Sequence, residues 1–145
     1  MVTKTIVHFE IPAQDVEKLS KFYSDVFGWK FEKTSMPGGV DYWMITTGPR
    51  RGRNAGIYGG MYKKQMDAEL PRNYIAVDKI DPAISSFVAA GGKEVVGKQE
   101  MPGMGWSYIG ADPEGNMIAM WQSAPRREVH RARRAARKAA RKSKG

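Results

Sequence analysis

The sequence predicts an α+β fold of two paired βαβββ modules. Their strands form a curled, mixed sheet around a cleft, and a basic C-terminal tail follows. Three observations carry that reading. A strand, a capped amphipathic helix and three further strands occur twice in the same order between Ile6 and Gln122. The segment Asp112-Pro113-Glu114-Gly115-Asn116 has tight-turn chemistry and leads at once into the apolar run Met117–Trp121, a hairpin entering a last buried strand. The charge is also segregated. Of 24 basic and 15 acidic residues, ten and one fall in 126–145, leaving fourteen of each in 1–125. The folded body is neutral, and the tail carries the whole excess of +9.

In chain order, Ile6–Ile11 is a β-branched, apolar strand. Asp15 caps a helix whose apolar positions Val16, Leu19, Phe22, Tyr23, Val26 and Phe27 recur at helical spacing, and Gly28 ends it. Strands are expected near 29–34, 41–47 and 56–63, separated by Met36-Pro37-Gly38-Gly39 and the Gly48–Gly56 loop. The second module opens at Asn73–Val77. Asp81 is expected to cap a helix through Ile84, Phe87 and Val88 that closes at Gly91-Gly92. Strands near 93–97, 105–111 and 116–122 complete it. Pro125 interrupts the last strand, so the boundary falls between residues 1–125 and 126–145.

These residues resemble the vicinal oxygen chelate superfamily, which includes glyoxalase I, bleomycin- and fosfomycin-resistance proteins and extradiol dioxygenases. The resemblance covers residues 4–123. It rests on Val7-His8-Phe9-Glu10-Ile11-Pro12 with Phe22-Tyr23 and Phe27-Gly28-Trp29, on Val77-Asp78-Lys79-Ile80-Asp81 before a helix ending in Gly-Gly, and on the Asp112–Asn116 turn. It implies a glyoxalase-like fold, a small organic ligand and a homodimer.

The resemblance also implies a place for a divalent ion, held by about four His, Glu or Gln side chains from four strands, with positions open for substrate oxygens. His8 occupies the first place. The second falls at Arg72, or at Tyr74 if the register slips. Gly59-Gly60-Met61-Tyr62 holds no carboxylate, and the last strand offers Ala119. One ligand of four remains, so neither metal nor other cofactor is predicted. A displaced metal site is the alternative. Glu10 shares a strand face with His8 and enters the same cleft.

Alternation along the strands otherwise points to an apolar, aromatic cleft. Met117, Ala119 and Trp121 share the former ligand face, with Ile118 and Met120 toward the helices. Trp43, Trp106 and Met61 are further ligand-binding candidates beside His8 and Glu10, although such residues equally suit core packing. Met101–Trp106 reads either as a lid or as an ordinary hairpin connection.

In the tail, Arg127, Arg131, Arg134, Lys138 and Arg141 form one stripe if helical, beside a small-residue stripe of Val129, Ala132, Ala136, Ala139 and Ser143. Like charges at these spacings repel, so the segment is expected to be partly disordered alone and helical on a polyanion such as nucleic acid. It has no bulky apolar face for a membrane.

With no cysteine and no apolar run of spanning length, a cytoplasmic protein is the expectation. Nucleophile elbows, phosphate loops and CxxC pairs are absent. The favoured reading is metal-independent binding of a small, largely apolar organic molecule. The alternatives are a lyase, isomerase or dioxygenase with a non-standard site around His8 and Glu10, and a module that grips nucleic acid non-specifically through 126–145.

Overall fold

The computed structural model describes residues 4–36 and 38–142. Its elements are β1 (Ile6–Ala13), α1 (Val16–Phe27), β2 (Lys30–Met36), β3 (Val40–Thr46), β4 (Gly59–Lys63), β5 (Arg72–Ala76), α2 (Ile80–Ala89), β6 (Lys93–Met101), β7 (Gly105–Ala111), β8 (Met117–Ser123) and α3 (Arg126–Lys142). The strands form one open sheet in the order β2-β3-β4-β1-β5-β8-β7-β6. Each module contributes four neighbouring strands. Their opening strands β1 and β5 meet antiparallel at the centre, His8 opposite Tyr74 and Glu10 opposite Arg72. The paired βαβββ architecture read from the sequence is the architecture found.

Local chemistry explains most boundaries. Asp15 accepts the Lys18 N–H at 3.0 Å, and Gly28, at φ +69°, closes α1 through its N–H to the Ser24 carbonyl. Asp112 accepts the N–H groups of Glu114 and Asn116 at 2.9 Å each and the Asn116 side-chain amide at 2.7 Å, which holds the turn into β8. Asp81 departs from expectation. It lies inside the first turn of α2 and makes no cap; its carboxylate pairs with Lys98 at 2.9 and 3.0 Å. The free Ile80 N–H is satisfied instead by the Gln122 side chain of β8 at 2.8 Å, a cap supplied from across the fold. Pro37 lies outside the described residues.

Both α1 and α2 cover the same face of the sheet. Under α1, Ala13, Val16, Ile45 and Met61 are buried with Phe9, Leu19, Tyr23, Trp29 and Trp43 around them. Under α2, Val77, Ile80, Tyr108 and Met120 form the second cluster with Ile84, Phe87 and Trp106. Strand alternation therefore sends His8, Glu10, Tyr42, Gly60, Tyr62, Arg72, Tyr74 and Ala119 to the opposite, cleft face.

The tail is helical as it stands, although partial disorder was expected without a polyanion. Ala and Arg favour helix, and the start of α3 is docked. The Ala124 N–H bonds the Met104 carbonyl at 2.8 Å, and Val129 and Ala132 are half-buried. Ala132 seats directly on Gly103, where a Cβ would overlap it. The Met101–Trp106 connection is thus a seat for α3, and Trp106 belongs to the α2 cluster. Ser143, expected in the small-residue stripe, lies outside the described residues, as do residues 144 and 145.

Gly103 combines φ +72° with that close approach, whereas Gly115, at φ +91°, has no neighbour within reach of a Cβ. Gly103→Ala is expected to accelerate tryptic cleavage within α3 severalfold and to lower stability beyond the ~1 kcal/mol of an αL alanine. Gly115→Ala should show only the conformational loss in the same urea titration, with unchanged proteolysis.

Candidate functional site

The floor of the cleft is a polar cluster at the seam of the two modules. Glu10 is 8% exposed, a buried carboxylate that demands compensation. The Arg72 guanidinium provides it, with one terminal nitrogen 2.8 Å and Nε 3.0 Å from Glu10 Oε1. The Tyr74 hydroxyl donates to the same oxygen at 2.5 Å. Arg72 also lies over the rings of Tyr62 and Tyr74, 5.3 and 6.0 Å from their centroids. Burial by itself disfavours charge on Arg72, but Tyr74 and the Glu10 carboxylate outweigh it and hold the group as a cation.

His8 and Tyr42 form the second half. His8 Nε2 and the Tyr42 hydroxyl share a hydrogen bond of 2.7 Å, its direction set by the imidazole tautomer. The two rings stack, and Tyr74 meets His8 edge-on. Tyr42 reaches His8 from β3 across β4 because Gly60 intervenes; a Cβ there would overlap the phenol ring. Burial lowers the His8 pKa below its usual value against a smaller opposing pull from Glu10, so the imidazole is neutral at pH 7. Burial first, and Glu10 second, push Tyr42 and Tyr74 far above the ordinary phenol range. Burial does the same to Tyr62, whose hydroxyl has no hydrogen-bond partner of good geometry despite the nearby Glu69 carboxylate.

The sequence candidates divide by strand phase. His8, Glu10, Met117 and Trp121 share the cleft face with Ala119, which is fully buried. Met117 lines an opening of about 310 Å³ beside the β1–β5 seam, walled by Glu10 and Arg72 and also by Phe9, Ile11, Tyr23 and Trp29 of the α1 side. Trp121 lies at the far end, its indole N–H donating to Ser123 at 3.0 Å. Trp43 and Met61 pack instead under α1, and Trp106 under α2, because their odd and even positions place them in phase with Ile45 and Tyr108. Tyr42 and Tyr62 were missed as site residues, and Tyr74 was named only as the alternative to Arg72. Their signal was phase as well: Tyr74 lies opposite His8, while Tyr62, opposite Pro12, and Tyr42 beyond it share the face of His8 and Glu10.

The donor set does not fit a divalent ion. Arg72 occupies one expected place with a positive charge, Ala119 another with a methyl group, and Glu10 Oε1 is engaged by Arg72 and Tyr74. Among the described residues no three His, Cys, Asp or Glu side chains converge. The floor is also more polar than the largely apolar cleft expected from sequence.

Residues 5–48 match the family model described as bleomycin resistance protein-like N-terminal. A glyoxylase-like domain-containing protein of Didymella fabae is 36% identical over 90 residues, covering 59% of this chain and 67% of that protein. The anthracycline biosynthesis protein DnrV of Streptomyces peucetius is 25% identical over 130 residues, covering 79% of this chain and 45% of its own length. The chain spans less than half the length of that protein and of the mycobacterial relatives it matches. Among solved structures, the methylmalonyl-CoA epimerase from Mycobacterium tuberculosis superposes with a TM-score of 0.60 at 16% identity, over 89% of this chain and 97% of that one. A methylmalonyl-CoA epimerase in complex with methylmalonyl-CoA reaches 0.62 at 12%, over 83% and 95%. These two likenesses concern the fold.

Two measurements test the cluster. Removing one partner of a buried ion pair typically costs about 3–5 kcal/mol, so Arg72→Leu alone is expected to lose several kcal/mol in urea denaturation. Adding Glu10→Met should recover more than half; strictly additive losses would mean the pair is not coupled. The unfolded chain protonates His8 near pH ~6.5 while the folded chain resists. The contribution is therefore complete above that pH and falls away on acidification. His8→Gln should flatten the decline in melting temperature below pH ~6.5; an unchanged decline would place its cause elsewhere.

Proposed function

The chain belongs to the vicinal oxygen chelate superfamily of glyoxalase-like and bleomycin-resistance-like proteins, and on that premise we propose that it binds a small organic molecule in its cleft without a metal. One observation carries the reading. The buried carboxylate of Glu10 is neutralised by the guanidinium of Arg72, the residue that stands where the resemblance expects a metal ligand. Arg72 uses two nitrogens on Glu10 and keeps further N–H groups for an oxygen of the bound molecule. The unpaired hydroxyl of Tyr62 offers a second polar contact beside it.

The expected ligand is planar and mostly apolar, with a carbonyl or carboxylate at one end. Met117 and the rings of Tyr42 and Tyr74 suit the flat part, and Arg72 and Tyr62 suit the oxygens. The name of the Streptomyces relative, an anthracycline biosynthesis protein, agrees with that chemistry. The proposal places the cleft in a homodimer. Val40 and Met44 share the face of Tyr42 and are 53% and 36% exposed, which leaves apolar surface at the rim for a second copy to cover.

Calorimetric titration of the chain with an anthracycline, alongside sedimentation for mass, tests this. Saturable binding is expected to survive a chelator and to weaken at least tenfold in Arg72→Gln, in a particle of twice the chain mass. Binding that requires an added divalent ion would overturn the metal-independent reading, and no saturable binding would overturn the ligand class.

A further inference from the structure

We propose that α3 is a duplex-DNA-binding helix that lies in the major groove and holds its phosphate walls through Arg127, Arg131, Arg134, Lys138 and Arg141, independently of base sequence. Placed at 3.6 residues per turn, those five residues form one stripe. The other four basic residues of the described helix flank it, all within one half of the circumference. Every one of the nine is exposed, and among the described residues no ion pair engages any of them. The one acid of the helix, Glu128, falls on the other half with Val129 and the alanines.

Geometry selects the partner. The helix is about 25 Å long, and a B-form major groove is wide enough to admit one, whereas the deep, narrow major groove of A-form RNA is not. A cationic face covering half the helix addresses both walls of the groove at once. The other half carries Ala side chains, a single Val and the charged Glu128, too little apolar bulk to anchor a helix in a lipid interface. Ala132, seated on Gly103, holds the first turns on the Met101–Gly105 connection. The remaining turns therefore leave the body in a set direction, with their charge outward. With nine cations on one half of the helix surface, neighbours at i,i+3 and i,i+4 repel, and a phosphate lattice removes that repulsion while releasing counterions.

Fluorescence anisotropy with the full chain tests this, using a short duplex DNA of arbitrary sequence, a duplex RNA of equal length and vesicles containing anionic phospholipid. About five phosphate contacts predict a slope near −4.5 for log K against log salt, a loss of roughly 10²–10³-fold between 50 and 200 mM. A variant with Arg127→Gln, Arg131→Gln, Arg134→Gln, Lys138→Gln and Arg141→Gln keeps helix-forming residues at solvent-facing positions. It should lose about four units of that slope, with circular dichroism unchanged. Equal affinity for a scrambled duplex and weaker affinity for RNA complete the expected result. Absence of DNA binding at 50 mM salt would overturn the proposal, as would an unaltered slope in the variant. Retention by anionic vesicles without retention by DNA would also overturn it, by identifying the helix as a membrane-surface element.

Discussion

The seam between β1 and β5 is the constraint on which the remainder rests. Among the described residues it is the one place where strands of the two modules pair, and it buries a carboxylate. A buried Glu10 without a counter-charge would cost far more than the few kcal/mol by which domains of this size are stable. Arg72 and Tyr74 meet it only in the observed register, Glu10 opposite Arg72 and His8 opposite Tyr74. A slip of one residue would turn Glu10 into the apolar layer under α1 and send Phe9 into the cleft. The ion pair therefore adds register specificity to the seam, whatever its net contribution to stability.

Aromatic packing on both faces of β4 follows from that register. Gly59 lies beneath the Phe9 ring on the helix side, and Gly60 is crossed by Tyr42 on the cleft side. Neither position accommodates a Cβ, so the strand is a thin wall between two aromatic layers. This brings a tyrosine from β3 to a histidine on β1, two strands away. The polar floor is assembled from four strands, β1, β3, β4 and β5, and only β1 announces its part in local sequence.

That distinction explains what the sequence revealed. Elements with local causes were legible: Asp15 and Gly28 bounding α1, the Asp112 turn, the alternation in β8. Asp81 misled because its expected cap competes with Lys98 on β6 and Gln122 on β8, partners that no local pattern displays. Trp43, Met61 and Trp106 read as cleft residues because size and polarisability do not reveal which way a strand faces. One half-period of phase decides between core and cleft. His8 and Glu10 were visible as a pair on one strand, but their partners depended on registers across three others.

The residues at the places where the resemblance expects metal ligands are linked by charge. With His8 neutral, the floor carries one negative charge on Glu10 and one positive charge on Arg72, a balanced pair in a poorly solvated setting. A carboxylate in place of Ala119, beside Tyr74 in the register of β5 and β8, would leave that site with an excess negative charge that only a further cation could offset. A divalent ion with both carboxylates would in turn leave Arg72 as an unopposed like charge next to it. The guanidinium and the methyl group are thus compatible with each other, and each is incompatible with the metal arrangement. Ala119 at the end of the turn-to-strand motif and Arg72 at the head of β5 belong to a single electrostatic solution, in which a fixed organic cation stands in the centre of the cleft.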